Sequence, residues 1–310
     1  MRVLHQVSDL ASLSAPAHLA IGVFDGIHLG HQAVIAAAVE SARKGGGVPV
    51  VVTFDPHPIA VLRPEAAPRL LTSATHQQRI VGGLGIENLL QITFDKEFAA
   101  RPAEEFIRQL VDACQPLKQI CVGAEWNFGR GREGNVALLR RLGSEFEFEV
   151  TGVQPVTSQD GEVISSTLVR RAVCDGEFAR ARELLGRDYT VLGDVVEGRK
   201  LGRSIGFPTA NLAVHSEQLP PSGVYAVRVE LNGEVLRGAA NLGARPTVDA
   251  AGARRQLEVH LFDFDRDIYG EQMEVWFERF IRDERKFDGL DELKAQIARD
   301  VEATRNVSGV

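Results

Sequence analysis

The chain has 310 residues, of which 44% are hydrophobic and 25% are charged. These fractions are typical of a folded globular protein and exclude a disordered chain or a fibrous repeat. The formal net charge is −7 without a basic stripe, which disfavours a dedicated nucleic-acid-binding protein. The sequence has neither an apolar run of the roughly 18 residues that a membrane helix needs nor a signal peptide. We expect a cytoplasmic protein without nucleic-acid or membrane partners, and we make no prediction of its oligomeric state.

Up to about residue 185, short apolar segments alternate with segments of helical periodicity. Five segments have the length and apolar content of strands: residues 18–24, 48–54, 87–94, 119–122 and 145–150. Residues 31–44 and a segment that begins near Pro102 each have a helical apolar face. Because strands and helices alternate, we predict right-handed β-α-β units and a mostly parallel sheet.

Beyond about residue 186 the pattern changes to short strands joined by tight turns. Residues 223–243 contain two strand-like runs joined by Asn232-Gly233, a pair that favours the two left-handed positions of a type I′ hairpin turn. Residues 256–264 and 271–280 have the pattern of two further strands.

The end of the chain has clear helical periodicity, since Leu293, Ile297 and Val301 recur every four residues. We therefore predict two domains. Residues 1–186 form an α/β domain with a parallel sheet, and residues 187–310 form a small antiparallel β-barrel closed by a terminal helix.

The chain contains three cysteines, Cys114, Cys121 and Cys174, and no Cys-x-x-Cys motif. Three cysteines cannot all pair within one chain, and none has the spacing of a zinc ligand set. We expect reduced cysteines that serve as small core residues.

The first chemical motif is GVFDGIHLGH, residues 22–31, where the first predicted strand meets the first predicted helix. Ligands of parallel α/β sheets bind at such strand ends, and a helix N-terminus attracts phosphate. Glycines in this loop allow close approach of a ligand to the backbone. His28 and His31 are placed to donate hydrogen bonds to phosphoryl oxygens as charge develops in a transition state.

Two other interpretations of this motif are possible. The histidines could simply cap a helix while the glycines turn the chain. They could also bind zinc, which would require a third ligand such as Asp25 or His57.

A second motif is ISSTLVRR, residues 164–171, which opens a predicted helix. Three hydroxyl residues, a helix N-terminus and the guanidinium of Arg170 form a second phosphate-binding set. Alone, this pattern is usually only a helix cap. Together with the histidine motif, it predicts a two-sided clamp for a nucleoside triphosphate.

Residues 198–211 form a glycine-rich segment that contains Arg199, Lys200 and Arg203. It is not a Walker A loop, but its glycines and cations are suited to binding phosphates through backbone N–H groups. Thr209 and Asn211 offer two oxygen atoms of the kind that Mg²⁺ accepts. The same residues also fit a simple turn followed by a cap.

Glu258 is singled out by the alternation of the strand at 256–264. Glu258 and His260 share one face with two phenylalanines, whereas aliphatic residues occupy the other face. This arrangement fits either the wall of a pocket or an exposed edge.

GRGREG, residues 129–134, matches the GxGxxG pattern of dinucleotide-binding loops. Its context is wrong for that function, because it follows a late strand at a distance of several residues rather than the first strand directly. We therefore reject a nicotinamide-dependent oxidoreductase.

Several motifs together closely resemble the bacterial bifunctional riboflavin kinase/FAD synthetases: GxFDGxHxGH, TFDPHP (53–58), VGAEWNFGRGREG (122–134), ISSTLVR, GRKLGRSIGFPTANL (198–212), LEVHLFDFDRDIYG (257–270) and RDERKFDGLDEL (282–293). They occur in the family's order over nearly the whole chain. Departures occur at Glu125 and Trp126, where the family usually has Asn or Asp and then Phe in a segment associated with the flavin. A third departure is Leu168, since the family frequently has a basic residue at this position.

The resemblance implies a Rossmann-like nucleotidyltransferase domain followed by a six-stranded riboflavin kinase barrel. The second domain would convert riboflavin and ATP to FMN and ADP, and the first would convert FMN and ATP to FAD and pyrophosphate. Mg²⁺ is expected in both reactions, and the partners are these small molecules.

The resemblance also implies residue roles. His28, His31 and Arg170 would act in adenylyl transfer, Glu258 would take the proton of the ribityl 5′-hydroxyl, and Thr209 and Asn211 would bind Mg²⁺. The substrate-binding set would comprise Gly22, Phe24, Asp25, Gly26, Gly30, His57, Ser165, Ser166, Thr167, Gly202, Arg203, Gly206, Phe207, Pro208 and Asn241.

Two alternative functions belong to other classes. Class I aminoacyl-tRNA synthetases also contain an HxGH motif, but this chain lacks a KMSKS-like loop and a basic tRNA-binding region. A non-enzymatic barrel that contacts RNA is disfavoured by the evenly distributed acidic charge.

Overall fold

The computed structural model describes residues 1–198, 202, 205–214, 217–245 and 254–305. The chain forms two units. The first consists of Met1–Leu70 and Ala74–Leu168, and the second of Leu71–Ser73 and Val169–Val310. Within the described residues, no helix combines the length and the apolar character that crossing a membrane requires.

The first unit is built on a six-stranded sheet in which all strand pairs are parallel. Its strands are β1 (Arg2–Leu4), β2 (Ala17–Ile21), β3 (Val48–Asp55), β4 (Asn88–Thr93), β5 (Leu117–Gly123) and β6 (Glu149–Val153). The strand order β1-β4-β3-β2-β5-β6 reverses its direction between β2 and β5. The loop that follows β2 therefore lies at the topological switch point, where ligands of such sheets bind.

Helices cover this sheet on both faces. The helices of this unit include α1 (Leu29–Gly45), α2 (Pro58–Leu62), α3 (Ala74–Gly83), α4 (Lys96–Ala99), α5 (Ala103–Ala113) and α6 (Val136–Phe146), of which the short α2 and α4 have no buried residues. Alternate residues of β2 join different cores: Leu19 and Ile21 pack in one cluster, and Ala20 packs in the other with Ile35 of α1. The parallel sheet predicted from the alternating pattern is confirmed, with both faces buried.

The predicted strand over residues 145–150 is wrong in its first half. Residues up to Phe146 belong to α6, and β6 begins only at Glu149. Leu139, Leu142 and Phe146 extend the apolar face of that helix into the core. Glu147 then ends the helix in a left-handed conformation, with φ of 61°.

The second unit contains a closed barrel of six antiparallel strands. They are β7 (Thr190–Val196), β8 (Ala210–Val214), β9 (Gly223–Leu231), β10 (Glu234–Arg245), β11 (Arg254–Leu261) and β12 (Gln272–Arg282). Asn232 and Gly233 join β9 to β10 with φ of 53° and 83°, as the type I′ prediction requires. The predicted barrel is confirmed.

Helices of the described residues that accompany the barrel include α7 (Ser166–Cys174), α8 (Phe178–Leu185) and the C-terminal α9 (Leu290–Arg305). The ring of Phe178 stacks on Phe277, with centroids 5.8 Å apart, and meets Tyr225 edge-on. These aromatic contacts pack α8 against the barrel, in keeping with a second compact unit that includes the chain from Val169 onward.

A buried carboxylate holds the short segment Leu71–Ser73 in the second unit. Glu217 is 1% exposed. Its two oxygens accept hydrogen bonds from the backbone N–H groups of Ser73, at 2.9 Å, and Leu192, at 3.0 Å. These two bonds tie the segment to β7 through a single side chain.

All three cysteines are free, but only two are core residues. Burial raises the pKa of Cys114 to about 12 and that of Cys121 to about 11, so both are inert thiols at neutral pH. Cys174 is exposed at the end of α7, and its predicted place in the core is wrong.

Candidate active sites

The loop between β2 and α1 has a strained backbone. Phe24 and Ile27 have φ of 53° and 43°, in the left-handed region that side chains disfavour, and Gly26 has φ of 79°. Hydrogen bonds from the Thr53 hydroxyl and the Gln77 amide to the carbonyl oxygen of Val23 hold the loop. Strain of this kind, maintained by surrounding contacts, is characteristic of functional sites.

His28 and His31 form a compact pair at the N-terminus of α1. Their rings stack with centroids 3.7 Å apart. His28 caps the helix, because its Nδ1 accepts a hydrogen bond of 3.3 Å from the backbone N–H of His31. Because Nδ1 of His28 accepts this bond, Nε2 is the ring nitrogen that remains to donate to a ligand. A Cβ atom on Gly30 would lie 3.1 Å from this ring, so the glycine is needed for the ring's position.

The second histidine is electrically neutral at pH 7. Burial, and to a lesser extent the nearby charge of His28, holds the pKa of His31 well below its ordinary value. Nδ1 of His31 is buried and has no hydrogen-bond partner in the described part of the chain. A neutral ring with a buried polar atom is suited to a hydrogen bond with a ligand.

The two motifs predicted to form a clamp lie side by side. The hydroxyl of Ser166 donates a hydrogen bond of 2.9 Å to the carbonyl oxygen of Asp25. Ser165 caps α7 by accepting from the backbone N–H of Leu168, at 3.3 Å. Two helix N-termini, of α1 and α7, therefore meet at one end of the first unit, where their positive dipole ends favour an anion.

The other predicted residues of this site occupy the same two elements, with one exception. Gly22 directly follows β2, Thr167 is in the first turn of α7, and Arg170 lies one turn beyond Ser166 on the same helix. His57 instead caps α2, where its Nδ1 accepts a hydrogen bond of 3.1 Å from the backbone N–H of Ile59.

The zinc alternative gains no support from this geometry. Among the described residues, no group of three or more His, Cys, Asp or Glu side chains is arranged to hold a metal ion.

The glycines of the GRGREG motif have a packing role. A Cβ atom on Gly129 or Gly134 would collide with Ala103.

A cavity of about 400 Å³ lies between strands of the barrel and α9. Polar groups line its strand side, namely Thr209, Asn211, Asn241, Glu258 and His260. Apolar side chains of α9 line the other side, namely Leu293, Ile297 and Val301. The cavity thus has a polar wall suited to phosphate and hydroxyl groups and an apolar wall suited to a flat ring system.

Strand register brings the predicted polar residues together. Glu258 on β11 lies directly opposite Asn211 on β8 and Asn241 on β10. Asn211 is 6% exposed, and its Oδ1 accepts a hydrogen bond from the side-chain amide of Gln256. Glu258 is therefore part of a pocket wall, and the alternative of an exposed edge is wrong.

A second, smaller cavity of about 210 Å³ adjoins the first. Thr209 lines both cavities. The smaller one has apolar walls from Val259 and Leu261 and polar groups from the loop after β11, including Asp265 and Tyr269. Thr209 is thus common to both linings, and two cavities that share a residue are suited to a reaction between two separately bound substrates.

The glycine-rich segment is described in part. Gly202 and Phe207 line the larger cavity, Pro208 lines the smaller one, and Gly206 has φ of 90° in the intervening turn. The backbone carbonyl of Pro208 lies 2.7 Å from Nδ1 of His260. Arg199, Lys200 and Arg203, predicted to bind phosphates, lie outside the described residues.

Sequence reasoning missed the part of the larger cavity formed by the end of β12 and the segment after it. Arg282, Glu284, Arg285 and Phe287 all line this cavity. The only signal was the RDERKFDGLDEL segment, which contributed to the family resemblance but received no role.

A loop with glycines and histidines at the switch point of a parallel sheet, joined to a barrel with two adjoining cavities, defines a two-domain nucleotide-dependent transferase. Comparison with known proteins gives two family matches in chain order. A family model described as FAD synthetase matches residues 11–168, and one described as riboflavin kinase matches residues 185–308.

Curated relatives match nearly the whole chain. The bifunctional riboflavin kinase/FMN adenylyltransferase of Escherichia coli strain K12 is 43% identical over 293 residues, covering 94% of this chain and 93% of that protein. The protein of the same description from Haemophilus influenzae is 38% identical over 288 residues, covering 93% and 92%. A crystal structure described as a macrolide-efflux protein from Streptococcus pneumoniae aligns with a TM-score of 0.82 and 35% identity over 99% of each chain.

The chain belongs to the family of bifunctional riboflavin kinase/FMN adenylyltransferases. Its C-terminal domain transfers the γ-phosphoryl group of ATP to riboflavin, which gives FMN and ADP. Its N-terminal domain joins FMN to the adenylyl group of ATP, which gives FAD and pyrophosphate. The function and fold class predicted from the sequence are confirmed.

Proposed function

We propose that adenylyl transfer takes place at the N-termini of α1 and α7. The carrying observation is the stacked pair of His28 and His31 beside Ser166. In this site the phosphate oxygen of FMN attacks the α-phosphorus of ATP, and the bond to the bridging oxygen of pyrophosphate breaks. The two imidazoles donate hydrogen bonds to the phosphate oxygens that gain charge in the transition state.

The remaining predicted residues of the first site bind ATP. Backbone N–H groups of the loop at Gly22, Phe24, Asp25, Gly26 and Gly30 lie close to the helix dipole of α1 and suit the phosphate chain. The hydroxyls of Ser165, Ser166 and Thr167 and the guanidinium of Arg170 approach the same chain from α7. His57, at the N-cap of α2, also contributes to ATP binding.

For the kinase reaction we place riboflavin in the larger cavity and ATP in the smaller one. The apolar wall from α9 suits the flavin ring, and the shared Thr209 marks the point where the two substrates meet. Glu258 accepts the proton of the ribityl 5′-hydroxyl, the hydroxyl oxygen attacks the γ-phosphorus, and ADP leaves. Asn241 lies opposite Glu258 and supports hydrogen bonding to the ribityl chain.

The donor set at the start of β8 fits Mg²⁺. Thr209 and Asn211 supply a hydroxyl and an amide oxygen, which are hard ligands of the type Mg²⁺ prefers when phosphates complete its shell. The hydrogen bond from Gln256 to Oδ1 of Asn211 keeps that oxygen oriented. Bound there, the ion would neutralise charge on the ATP phosphates.

We assign the enzyme to the cytoplasm and propose that it has no nucleic-acid partner. Three free cysteines are compatible with a reducing compartment. The net charge of −7 opposes binding to nucleic acid. We place the border between the two activities after Gly186, as the sequence suggests, although the helices after Leu168 pack with the barrel.

The proposal is tested by separating the flavins formed from riboflavin, ATP and Mg²⁺ by the full chain and its variants. Glu258→Gln should stop FMN formation and leave the conversion of FMN to FAD nearly intact. His28→Ala or His31→Ala should lower kcat of FAD synthesis by roughly 10²–10³, the effect of losing one preorganised donor. These histidine variants should keep their riboflavin kinase activity.

Two results would contradict the proposal. Equal loss of both activities in a folded Glu258→Gln variant would remove Glu258 from the kinase site. FAD synthesis within about threefold of the parent in either histidine variant, well below the effect of a lost donor, would exclude the proposed transition-state contact.

A further inference from the structure

An ion pair fastens α9 to the barrel at the wall of the larger cavity. Arg282 is the last residue of β12. Its Nε and a terminal nitrogen donate hydrogen bonds of 2.9 and 2.7 Å to the two carboxylate oxygens of Asp300 on α9. Asp300 is 5% exposed, and both residues line the cavity. This is the bidentate geometry in which an arginine holds a carboxylate most firmly.

The surrounding hydrogen bonds keep this pair in place. The side-chain amide of Gln296 donates to Oδ1 of Asp300 at 2.8 Å, and the hydroxyl of Thr304 donates to its backbone carbonyl at 2.7 Å. Arg282 also donates to the carbonyl oxygen of Asp283 at 2.8 Å. Loss of one partner would leave the other charge without compensation. The present position of α9 on the barrel would then become less stable.

The catalytic groups of the same cavity depend on different contacts. Asn211 and Glu258 lie opposite each other on paired strands of the closed barrel, and Thr209 directly precedes β8. The apolar wall, in contrast, is formed by Leu293 and Ile297 on α9 itself. A change in the position of α9 therefore alters the wall and leaves the reacting groups where they are.

We propose that Arg282 and Asp300 are positioning residues that hold α9 at the distance from the barrel that fits a flavin ring. This inference deepens the proposed kinase site and rests on the placement of riboflavin in the larger cavity. The pair sets the affinity for riboflavin and contributes little to the phosphoryl-transfer step. Its loss raises KM for riboflavin and changes kcat only slightly.

A second ion pair on the same helix provides a matched control. Arg305, at the last turn of α9, makes two hydrogen bonds of 3.0 and 2.9 Å to the carboxylate of Asp263. The side chains of this pair are 48% and 78% exposed, and neither residue lines either cavity. Breaking this pair tests the effect of losing any ion pair on α9.

The experiment compares the kinetics of full-length Asp300→Asn, Arg282→Lys and Arg305→Gln variants. In Asp300→Asn, KM for riboflavin should rise at least about tenfold, as expected when a buried pair is broken, with kcat within about threefold of the parent. Arg282→Lys keeps the charge without the bidentate fork and should show a smaller rise in KM. Arg305→Gln should leave both constants unchanged. In all three, conversion of FMN to FAD should be unaffected.

Melting curves and an Ile297→Ala variant make every outcome decisive. An unchanged KM for riboflavin in folded Asp300→Asn and Arg282→Lys overturns the inference, as does an equal rise in Arg305→Gln. If Asp300→Asn does not fold, Arg282→Lys decides the matter alone. Ile297→Ala alters the wall directly, so an unchanged KM in that variant refutes the placement of riboflavin in this cavity. If KM for riboflavin rises in Ile297→Ala but not in the variants of the ion pair, the positioning role is refuted and the proposed kinase site is retained.

Discussion

Replacement of Gly30 by alanine should increase the stability of α1 and impair FAD synthesis at the same time. Gly30 lies in the first turn of α1. Alanine in a helix is more stable than glycine by about 0.5–1 kcal/mol. The new Cβ atom would lie 3.1 Å from Cε1 and 3.2 Å from Nδ1 of His28, whereas ordinary contacts begin at 3.4 Å. The ring must therefore move by a few tenths of an ångström.

The size of the kinetic effect follows from this displacement. A misplacement of about 1 Å can reduce an enzymatic rate by about 10²-fold. If the logarithm of the rate falls in proportion to the displacement, a shift of about 0.3 Å reduces the rate by about fourfold. We expect FAD synthesis to fall by about that factor, with riboflavin phosphorylation unchanged and the melting temperature equal or higher. The assay is the initial rate of FAD formation from FMN, measured alongside a thermal melt.

Gly83→Ala is the control for this prediction. Gly83 is the last residue of α3, and a Cβ atom there would have no neighbour within 4 Å in the described part of the chain. It should raise stability without changing either activity. Full FAD synthesis in Gly30→Ala would show that the position of the His28 ring does not matter, and a lower melting temperature would contradict the helix argument.

Two further predictions concern stability. Glu217→Ala removes the acceptor of two buried backbone N–H groups and should destabilise the barrel by about 2–6 kcal/mol, at about 1–3 kcal/mol for each unsatisfied group. Denaturant unfolding followed by Trp276 fluorescence in a Trp126→Phe background measures this, and a loss below about 1 kcal/mol would refute it. Burial lowers the pKa of His18 below the ordinary histidine value of 6.5, so the folded state binds its proton less readily than the unfolded chain. The stability due to neutral His18 is complete above about pH 6.5 and declines as the pH falls. The difference between the melting temperatures at pH 5.5 and 7.5 should therefore be smaller in His18→Gln than in the parent protein. An equal difference in the two proteins would show that His18 does not cause this pH dependence.

Local signals in the sequence predicted most of the secondary structure. Asn232-Gly233 specifies its turn because both positions adopt left-handed conformations that few other residue pairs tolerate. The glycines after Lys44 end α1 for the same reason, with Gly46 at φ of 69°. The alternating residues 145–150 fit a strand and the end of an amphipathic helix equally well, and tertiary packing of Phe146 decides between them.

The candidate sites were predictable where one short motif carries them. His28 and His31 are three residues apart, and the helix itself brings their rings together. The hydrogen bond from Ser166 to Asp25 joins segments 141 residues apart. The common phosphate-binding chemistry of the two motifs predicted that they form one clamp, but it did not predict this bond. The periodicity of Leu293 and Ile297 identified a helix but not its use, because an apolar face that covers a core has the same pattern as one that lines a cavity.

The segment Leu71–Ser73 has a consequence for the modularity of this enzyme. These residues belong to the barrel unit, although the chain on both sides of them belongs to the first unit. A gene split after Leu168 would place Ser73 on a different polypeptide from Glu217, whose carboxylate would lose one of its two backbone donors. The sites proposed for the two activities use separate sets of residues, yet no single cut of the chain yields both units with all of their residues.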